Sequence, residues 1–166
     1  MPGADRDAEF TEYATAKSPW LRKVAYLLCQ DWHRADDLLQ SSLLKLYVHW
    51  DRASRTDNLD AYARTTLVNT FLSEQRTSWW KRAVLYRAAD DPAVLDVDID
   101  SSVDLHSALS VIPPRQRAAI VLRYFCDLSV EQTASVLDCS PGTVKSQTSR
   151  GLDAMRRVLE LRPAEQ

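Results

Sequence analysis

Hydroxyl, amide and basic side chains are concentrated in the short segment between residues 129 and 150. Ser129 with Gln132 three residues later predicts a capped helix start, and Ser140 followed by Pro141 predicts a second one. Asp138 lies between them, where the turn needs a left-handed residue. Polar side chains at the start of a second helix can bind base edges and phosphates in a DNA major groove. The segment predicts a helix-turn-helix motif with these candidate DNA contacts: Thr143, Lys145, Ser146, Gln147, Ser149 and Arg150.

The motif also has a purely structural interpretation, because two packed helices with a short loop occur in many all-α proteins. Capping residues at both helix starts, the small Ala134 and the polar outer face all agree with DNA binding, which we therefore predict. Arg115 and Arg117 follow Pro113 and Pro114 just upstream. They are candidates for phosphate contacts and would otherwise be solvated surface residues.

No residues in the sequence have the arrangement of a catalytic or metal centre. Three cysteines and three histidines are scattered without metal-ligand spacing, and there is no carboxylate cluster or glycine-rich phosphate loop. We expect no enzyme activity, no metal and no cofactor. The odd number of cysteines suits a reducing cytoplasm. No apolar run is long enough to cross a membrane, and no signal region is present.

Helical periodicity extends over the rest of the chain, and no alternating pattern predicts a strand, so the expected fold class is all-α. Ser18 and Pro19 predict a break or kink in the first helical region. Residues 51–57 predict a polar loop, after which Asp57 or Asn58 caps the next helix. The predicted helices before the helix-turn-helix span about 8–17, 19–30, 35–49, 58–80, 103–111 and 114–126.

Charge is distributed unevenly along the chain. Residues 83–101 contain one arginine and five aspartates, whereas residues 1–82 contain 12 basic and 11 acidic residues. An acidic connector between two nearly neutral domains accounts for this pattern. We predict two small helical domains, 1–82 and 102–161, joined by an acidic linker at 83–101. The weak overall basicity also predicts that the free chain does not bind DNA tightly by itself.

Three segments carry the most specific patterns: ADDLLQSSLLKLY at 35–47, AYARTTLVNTFLSEQR at 61–76, and IPPRQRAAIVLRYFCDLSVEQTASVLDCSPGTVKSQTSR at 112–150. Their order resembles the small, two-domain bacterial sigma factors of the extracytoplasmic-function (ECF) group, from about Phe10 to Leu159. The resemblance implies a dissociable subunit that binds bacterial core RNA polymerase and directs promoter-specific transcription initiation. Core polymerase, through its clamp helices and flap, and promoter DNA would be its partners, and the polymerase would perform the chemistry.

The first segment places acidic and amide residues on a leucine-rich amphipathic helix, which also fits an ordinary acidic helix start. The resemblance implies that this helix docks on the clamp helices of the largest polymerase subunit. Ser41 departs from the family pattern, in which an acidic residue usually stands at this position. The candidate polymerase contacts are Asp37, Leu39, Gln40 and Leu43.

The second segment places Asn69 and Ser73 four residues apart on one helix face, which Arg76 extends. The resemblance implies that this face binds and opens the −10 promoter element, where polar groups meet base edges and cations meet phosphates. Residues 51–60 resemble the family's specificity loop, which captures a flipped base. Arg55, Thr56 and Asn58 are its candidate base contacts, the sequence does not distinguish among them, and Asn58 is carried forward. The candidate −10 contacts are Asn58, Arg64, Asn69, Ser73 and Arg76.

For the third segment, the resemblance assigns the helix-turn-helix to the −35 promoter element. Gln147 stands where relatives often have Lys or Arg, which favours adenine recognition over a phosphate contact. Trp79 and Trp80 either stack on bases or pack the domain edge. An anti-sigma factor is a potential further partner. The alternative function is a stand-alone helix-turn-helix regulator, in which residues 1–82 would bind a ligand or dimerise.

Overall fold

The computed structural model describes residues 2–86 and 104–160, and these residues form helices and turns without a β-strand. The predicted all-α class is confirmed. The chain divides into two compact units, Met1–Phe71 and Leu72–Gln166. The domain limits 1–82 and 102–161 stay predictions, and most of the acidic linker lies outside the described residues.

α1 (Pro2–Cys29) is one continuous helix that contains Pro19. The predicted break after Ser18 is therefore wrong. A proline removes one backbone N–H donor from a helix, and here both sides of it remain helical. The hydroxyl of Ser18 donates to the carbonyl of Ala14 at 2.5 Å. The turns after the proline are anchored by buried apolar side chains: Leu21, Val24, Ala25 and Leu28.

α2 (Trp32–Val48) packs along α1. It begins a few residues earlier than predicted, because Asp31 is the N-cap and accepts the backbone N–H of Arg34 at 3.0 Å. The inner face of α2 is apolar and buried: Ala35, Leu38, Leu39 and Leu46.

α3 (Trp50–Ala53) is a single helical turn, most of which lies in the segment that the sequence predicts to be a loop. The loop prediction is wrong there because Trp50 and Ala53 are buried and hold the turn against the core. The chain then turns toward Asn58, whose side-chain oxygen accepts the backbone N–H of Ala61 at 3.0 Å. Asn58, one of the two predicted caps, therefore caps α4 (Leu59–Tyr86). This helix extends past its predicted end near residue 80.

The second unit contains the C-terminal helices. α5 (Asp104–Ser110) and α6 (Pro114–Ile120) form close to their predicted positions, and a π-helical turn at Val121–Phe125 continues α6. In this turn the N–H of Cys126 donates to the carbonyl of Val121 at 3.0 Å, five residues back.

The helix-turn-helix is confirmed as α7 (Val130–Leu137) followed by α8 (Pro141–Glu160). Ser129 and Gln132 form the predicted capping box, with N···O distances of 3.0 and 2.9 Å. Asp138 has the expected left-handed backbone, with φ of 53°. The local signals in the sequence were therefore sufficient to place this motif.

Two features determine which side of α8 faces outward: the cap at the start of the helix and the close contact of the helix with α6. Ser140 caps the helix by accepting the N–H of Thr143 at 3.1 Å, and Val144 is fully buried. Further along, a Cβ added at Gly151 would lie 2.5 Å from Cδ1 of Ile120. The glycine therefore allows α8 to approach α6 closely.

Candidate functional site

The outer face of α2 combines polar and apolar side chains. Asp37 and Gln40 are exposed, and Leu43 lies half-buried at its edge. Leu44 and Val48 continue this face, since residues three or four apart share one side of a helix, and they are 65% and 62% exposed. Neither residue is among the contacts predicted from the sequence. An apolar pair four residues apart, opposite the buried face of the helix, indicates both of them.

Leu39 lies on a different side of α2 from the other predicted contacts. It is 9% exposed and about half a turn away from Asp37, on the same side as the buried Leu46. The predicted direct contact with polymerase is therefore not supported by its position. Leu39 belongs to the core packing that holds α2 against α1.

Arg22 of α1 fixes the start of α2 beside this face. Its guanidinium hydrogen bonds to the carboxylate of Asp36, with N···O distances of 2.6 and 3.3 Å. It also lies 4.3 Å from the ring centroid of Trp32. The hydrogen bond from Arg22 holds the pKa of Asp36 below its ordinary value. Asp37, the next residue, remains exposed.

α4 presents Asn69, Ser73 and Arg76 as exposed side chains on one face, as the sequence predicts. Asn58 uses its side-chain oxygen to cap α4, which leaves the NH₂ group of the same amide as a donor. A shallow cleft between the preceding turn and α4 is lined mainly by hydroxyl, amide and aromatic groups: Thr56, Asn58, Ala61, Tyr62, Thr65, Thr66 and Asn69.

Arg64 does not lie on this face. It is half-buried, and its helix position aligns it with the buried Leu67, Val68 and Phe71. Its Nε atom is buried without a hydrogen-bond partner. Its positive charge lowers the pKa of Tyr13, although burial and Asp60 raise that pKa by more. The predicted −10 contact from Arg64 is therefore not supported by its position, because helical phase directs the side chain inward.

The first turn of α4 is bound to α1. The hydroxyl of Tyr13 donates to Oδ1 of Asp60 at 2.8 Å, and Nζ of Lys17 lies 3.3 Å from Oδ2 of the same carboxylate. Burial, and then the hydrogen bond and negative charge of Asp60, raise the pKa of Tyr13. The phenol therefore stays protonated and acts as the donor.

The outer face of α8 brings the predicted recognition residues together. Gln147 is half-buried, and the hydroxyl of Thr143 lies 2.9 Å from that of Ser140. Val144 and Thr148 face the core, so the polar residues lie on the opposite side. The exposed members are Thr143, Lys145, Ser146, Ser149 and Arg150.

The two upstream arginines bind backbone carbonyls. Arg117 is half-buried and donates to the carbonyls of Leu109 and Ile112, each at 2.9 Å. Arg115 is exposed and donates through one nitrogen to the carbonyl of Leu137 at 2.9 Å. Arg117 thus stabilises the end of α5, and its predicted phosphate contact is not supported. Arg115 retains other donors, and its phosphate contact stays a prediction.

Within residues 2–86 and 104–160, no group of three or more His, Cys, Asp or Glu could hold a metal ion. In the same part of the chain, no helix is long and apolar enough to span a membrane. The side chains of Trp79 and Trp80 lie outside what the structure describes, so both interpretations of this pair stay open.

The protein is helical and contains a helix-turn-helix, a motif that many DNA-binding proteins share. The model of the Sigma-70 region 2 family matches residues 14–81, and that of Sigma-70, region 4 matches residues 102–155. The RNA polymerase sigma-E factor of Streptomyces avermitilis is 35% identical over 161 residues, which cover 93% of this chain and 87% of the relative. The ECF RNA polymerase sigma factor EcfG of Rhodopseudomonas palustris is 31% identical over 157 residues. These cover 90% of this chain and 84% of that relative. The chain therefore belongs to the sigma-70 family and, within it, to the ECF group.

A solved structure agrees with this assignment. The sigma factor RpoE of Bartonella quintana, crystallised in complex with the anti-sigma factor NepR, is 27% identical with a TM-score of 0.70, covering 93% of this chain and 99% of that one. The predicted family and function are confirmed: the protein is an alternative sigma factor, which directs promoter-specific transcription initiation. Sigma factors are non-catalytic subunits, and the stand-alone regulator is not favoured.

Proposed function

We propose that this sigma factor docks on core polymerase through α2, binds and opens the −10 element through α4, and binds the −35 element through α8. The segment 83–101 would connect the two DNA-binding parts. The polymerase would perform the phosphoryl transfer, and this chain would contribute no catalytic residue, metal or cofactor. It would act in the cytoplasm, together with the polymerase.

The exposed face of α2 is the observation that carries the docking proposal. Asp37 and Gln40 supply a charge and an amide, and the neighbouring Leu44 and Val48 leave apolar surface in water. Apolar side chains with polar neighbours are typical of protein interfaces. We propose the clamp helices of polymerase as the partner, with Leu43 at the margin and Leu39 supporting α2 from within.

The cleft beside α4 is the proposed site for an unstacked base of the −10 element. Its hydroxyl and amide groups match the donors and acceptors of a base edge, and Tyr62 offers an aromatic ring within the same lining. Asn69 lines the cleft, and Ser73 and Arg76 would contact the adjoining DNA strand and its phosphates. Asn58 would act as both helix cap and base contact.

The exposed face of α8 is the proposed −35 contact. Ser146 and Gln147 would meet base edges, whereas Lys145, Arg150 and the upstream Arg115 would bind phosphates. Thr143 and Ser149 complete the surface on the side away from the buried Val144 and Thr148. The polymerase flap is proposed as a second contact of this unit.

We also propose an anti-sigma factor as a regulatory partner. The support is the structural similarity to a sigma factor that was crystallised with its anti-sigma factor. Such a partner would compete for the exposed faces that polymerase and DNA otherwise occupy.

Co-elution with core RNA polymerase that lacks any sigma subunit tests the docking proposal. We expect a stoichiometric complex that Asp37→Arg and Gln40→Ala weaken, because both side chains lie on the exposed face of α2. Glu9→Arg makes the same charge change as Asp37→Arg at an exposed site on α1 and serves as the control. Equal co-elution of Asp37→Arg and Glu9→Arg would contradict the assignment of the docking face.

A further inference from the structure

Residues 6–17 of α1 contact both ends of the loop that precedes α4. On one side, the ring of Phe10 packs edge-on against Trp50 of α3, with centroids 5.4 Å apart. Arg6 hydrogen bonds through Nε to Oδ1 of Asp51 at 3.1 Å. On the other side, Lys17 pairs with Asp60 in the first turn of α4. The loop between residues 53 and 59 is therefore held at its two ends by a single helix.

Tyr13 joins the two ends through one side chain. Its ring lies 5.7 Å from the ring of Trp50, and its hydroxyl donates to Asp60 at 2.8 Å. Trp50 is in the helical turn before the loop, and Asp60 is in the first turn after it. The Tyr13 ring is rigid, because tyrosine has few rotatable bonds. It therefore bridges the distance between Trp50 and Asp60, which is the distance that the loop spans.

This distance bears directly on the proposed base-binding cleft. Thr56 and Asn58 come from the loop, whereas Ala61, Tyr62 and Asn69 come from α4. Within the loop, Thr56 donates to the carbonyl of Ala53 from its backbone N–H at 3.2 Å and from its hydroxyl at 2.8 Å, and Asn58 caps α4. The side chains of residues 54–58 are exposed, so no core packing holds them. The relative placement of the two walls therefore also depends on the contacts at the loop ends.

We propose that Tyr13 and Asp60 are positioning residues that set the width of the −10 cleft and thereby its selectivity among bases. Tyr13 lies just outside the part of the chain matched by the region 2 family model, which begins at residue 14. The inference rests on the proposed function of the cleft and adds a residue that does not itself line it. Loss of the Tyr13 hydroxyl would remove the link from Trp50 of α3 to the first turn of α4, while the aromatic packing and the Lys17–Asp60 pair remain.

Base selection by the reconstituted holoenzyme tests this proposal. The probes are single-stranded oligonucleotides with the −10 sequence of a promoter that the wild-type holoenzyme transcribes, with all four bases placed in turn at each position. Fluorescence anisotropy gives the ratio of affinities for the best and worst base. We expect Tyr13→Phe to reduce this ratio by roughly tenfold at one position, which is within the range for one base contact. The affinity for core polymerase should stay within twofold.

Matched variants separate positioning from general destabilisation. Tyr26→Phe removes a hydroxyl from the same helix about 20 Å away and should leave the ratio unchanged. Asp60→Asn keeps an acceptor for Tyr13 and should preserve more selectivity than Asp60→Ala. Lys17→Gln removes the second bond to Asp60 from a partly exposed side chain and should give a smaller loss.

The outcomes also separate this proposal from the proposed function. If Asn69→Ala weakens −10 binding while Tyr13→Phe leaves the ratio unchanged, the cleft is retained and the positioning role is overturned. If neither variant changes −10 binding, both proposals are overturned. A Tyr13→Phe variant that lowers core affinity as much as selectivity would indicate a general structural role and would also overturn the positioning role.

Discussion

Leu44 and Val48 offer a direct test of how the α2 face binds. Leu44 is 65% exposed and Val48 is 62% exposed, so neither side chain contributes much to the stability of the free protein. Replacement of Leu44 by Gln keeps a good helix former at this position and removes mainly apolar surface. We therefore expect Leu44→Gln to fold normally and to bind core polymerase more weakly.

The size of the loss follows from the exposed fraction. Full burial of a leucine side chain contributes about 1.5–3 kcal/mol, so covering the exposed 65% of Leu44 contributes about 1–2 kcal/mol. This corresponds to a Kd that rises about 5- to 30-fold. Val48→Gln should have a similar but smaller effect. The two effects need not add, because residues four apart on a helix are neighbours.

Titration of core polymerase against fluorescently labelled sigma factor measures this change. Glu9→Gln introduces the same side chain at an exposed position of α1 and should stay within twofold of wild type. A Leu44→Gln variant that also stays within twofold, while Asp37→Arg still dissociates the complex, would refute the reasoning. The polar part of the face would then suffice for docking.

Three further predictions concern stability. Asp138→Gly should stabilise the protein toward urea by about 0.5–1 kcal/mol, because the backbone at Asp138 is left-handed; an equal gain in Asp138→Ala would contradict this. Arg117→Lys should cost about 1–3 kcal/mol, since lysine cannot reproduce two carbonyl contacts at 2.9 Å; loss of −35 DNA binding without loss of stability would instead indicate a phosphate contact. The lowered pKa of Asp36 means that its pair with Arg22 stabilises the fold fully above about pH 3.9 and is lost as the pH falls through the folded-state value. Thermal melts should therefore show an advantage of wild type over Asp36→Asn that disappears in acid, and a pH-independent difference would contradict the assignment.

Helical phase explains why some site residues could be predicted and why Leu39 and Arg64 were misplaced. Asn69, Ser73 and Arg76 appear on one exposed face because a spacing of three or four residues determines a helix side. The same rule aligns Arg64 with Leu67 and Phe71, so its inward position was available from the sequence. The positive charge of Arg64 suggests a DNA contact, but its place in the helical repeat directs the side chain inward.

Contacts between different helices and turns could not be predicted in the same way. Arg117 reaches the end of α5, and Pro19 is accommodated because the residues after it are buried against other helices. The short helix α3 likewise depends on burial of Trp50. In each case a tertiary contact outweighs the local preference.

The sequence by itself determined the helix-turn-helix, its caps and the left-handed turn at Asp138, because these depend on hydrogen bonds and backbone preferences within a few residues. It also determined the family, through three motifs in a specific order. Only the tertiary structure decided that Arg117 is held within the fold, and that Tyr13 connects α3 to α4 through Asp60. The physical reason is that burial and side-chain pairing between elements depend on packing geometry, which local periodicity does not contain.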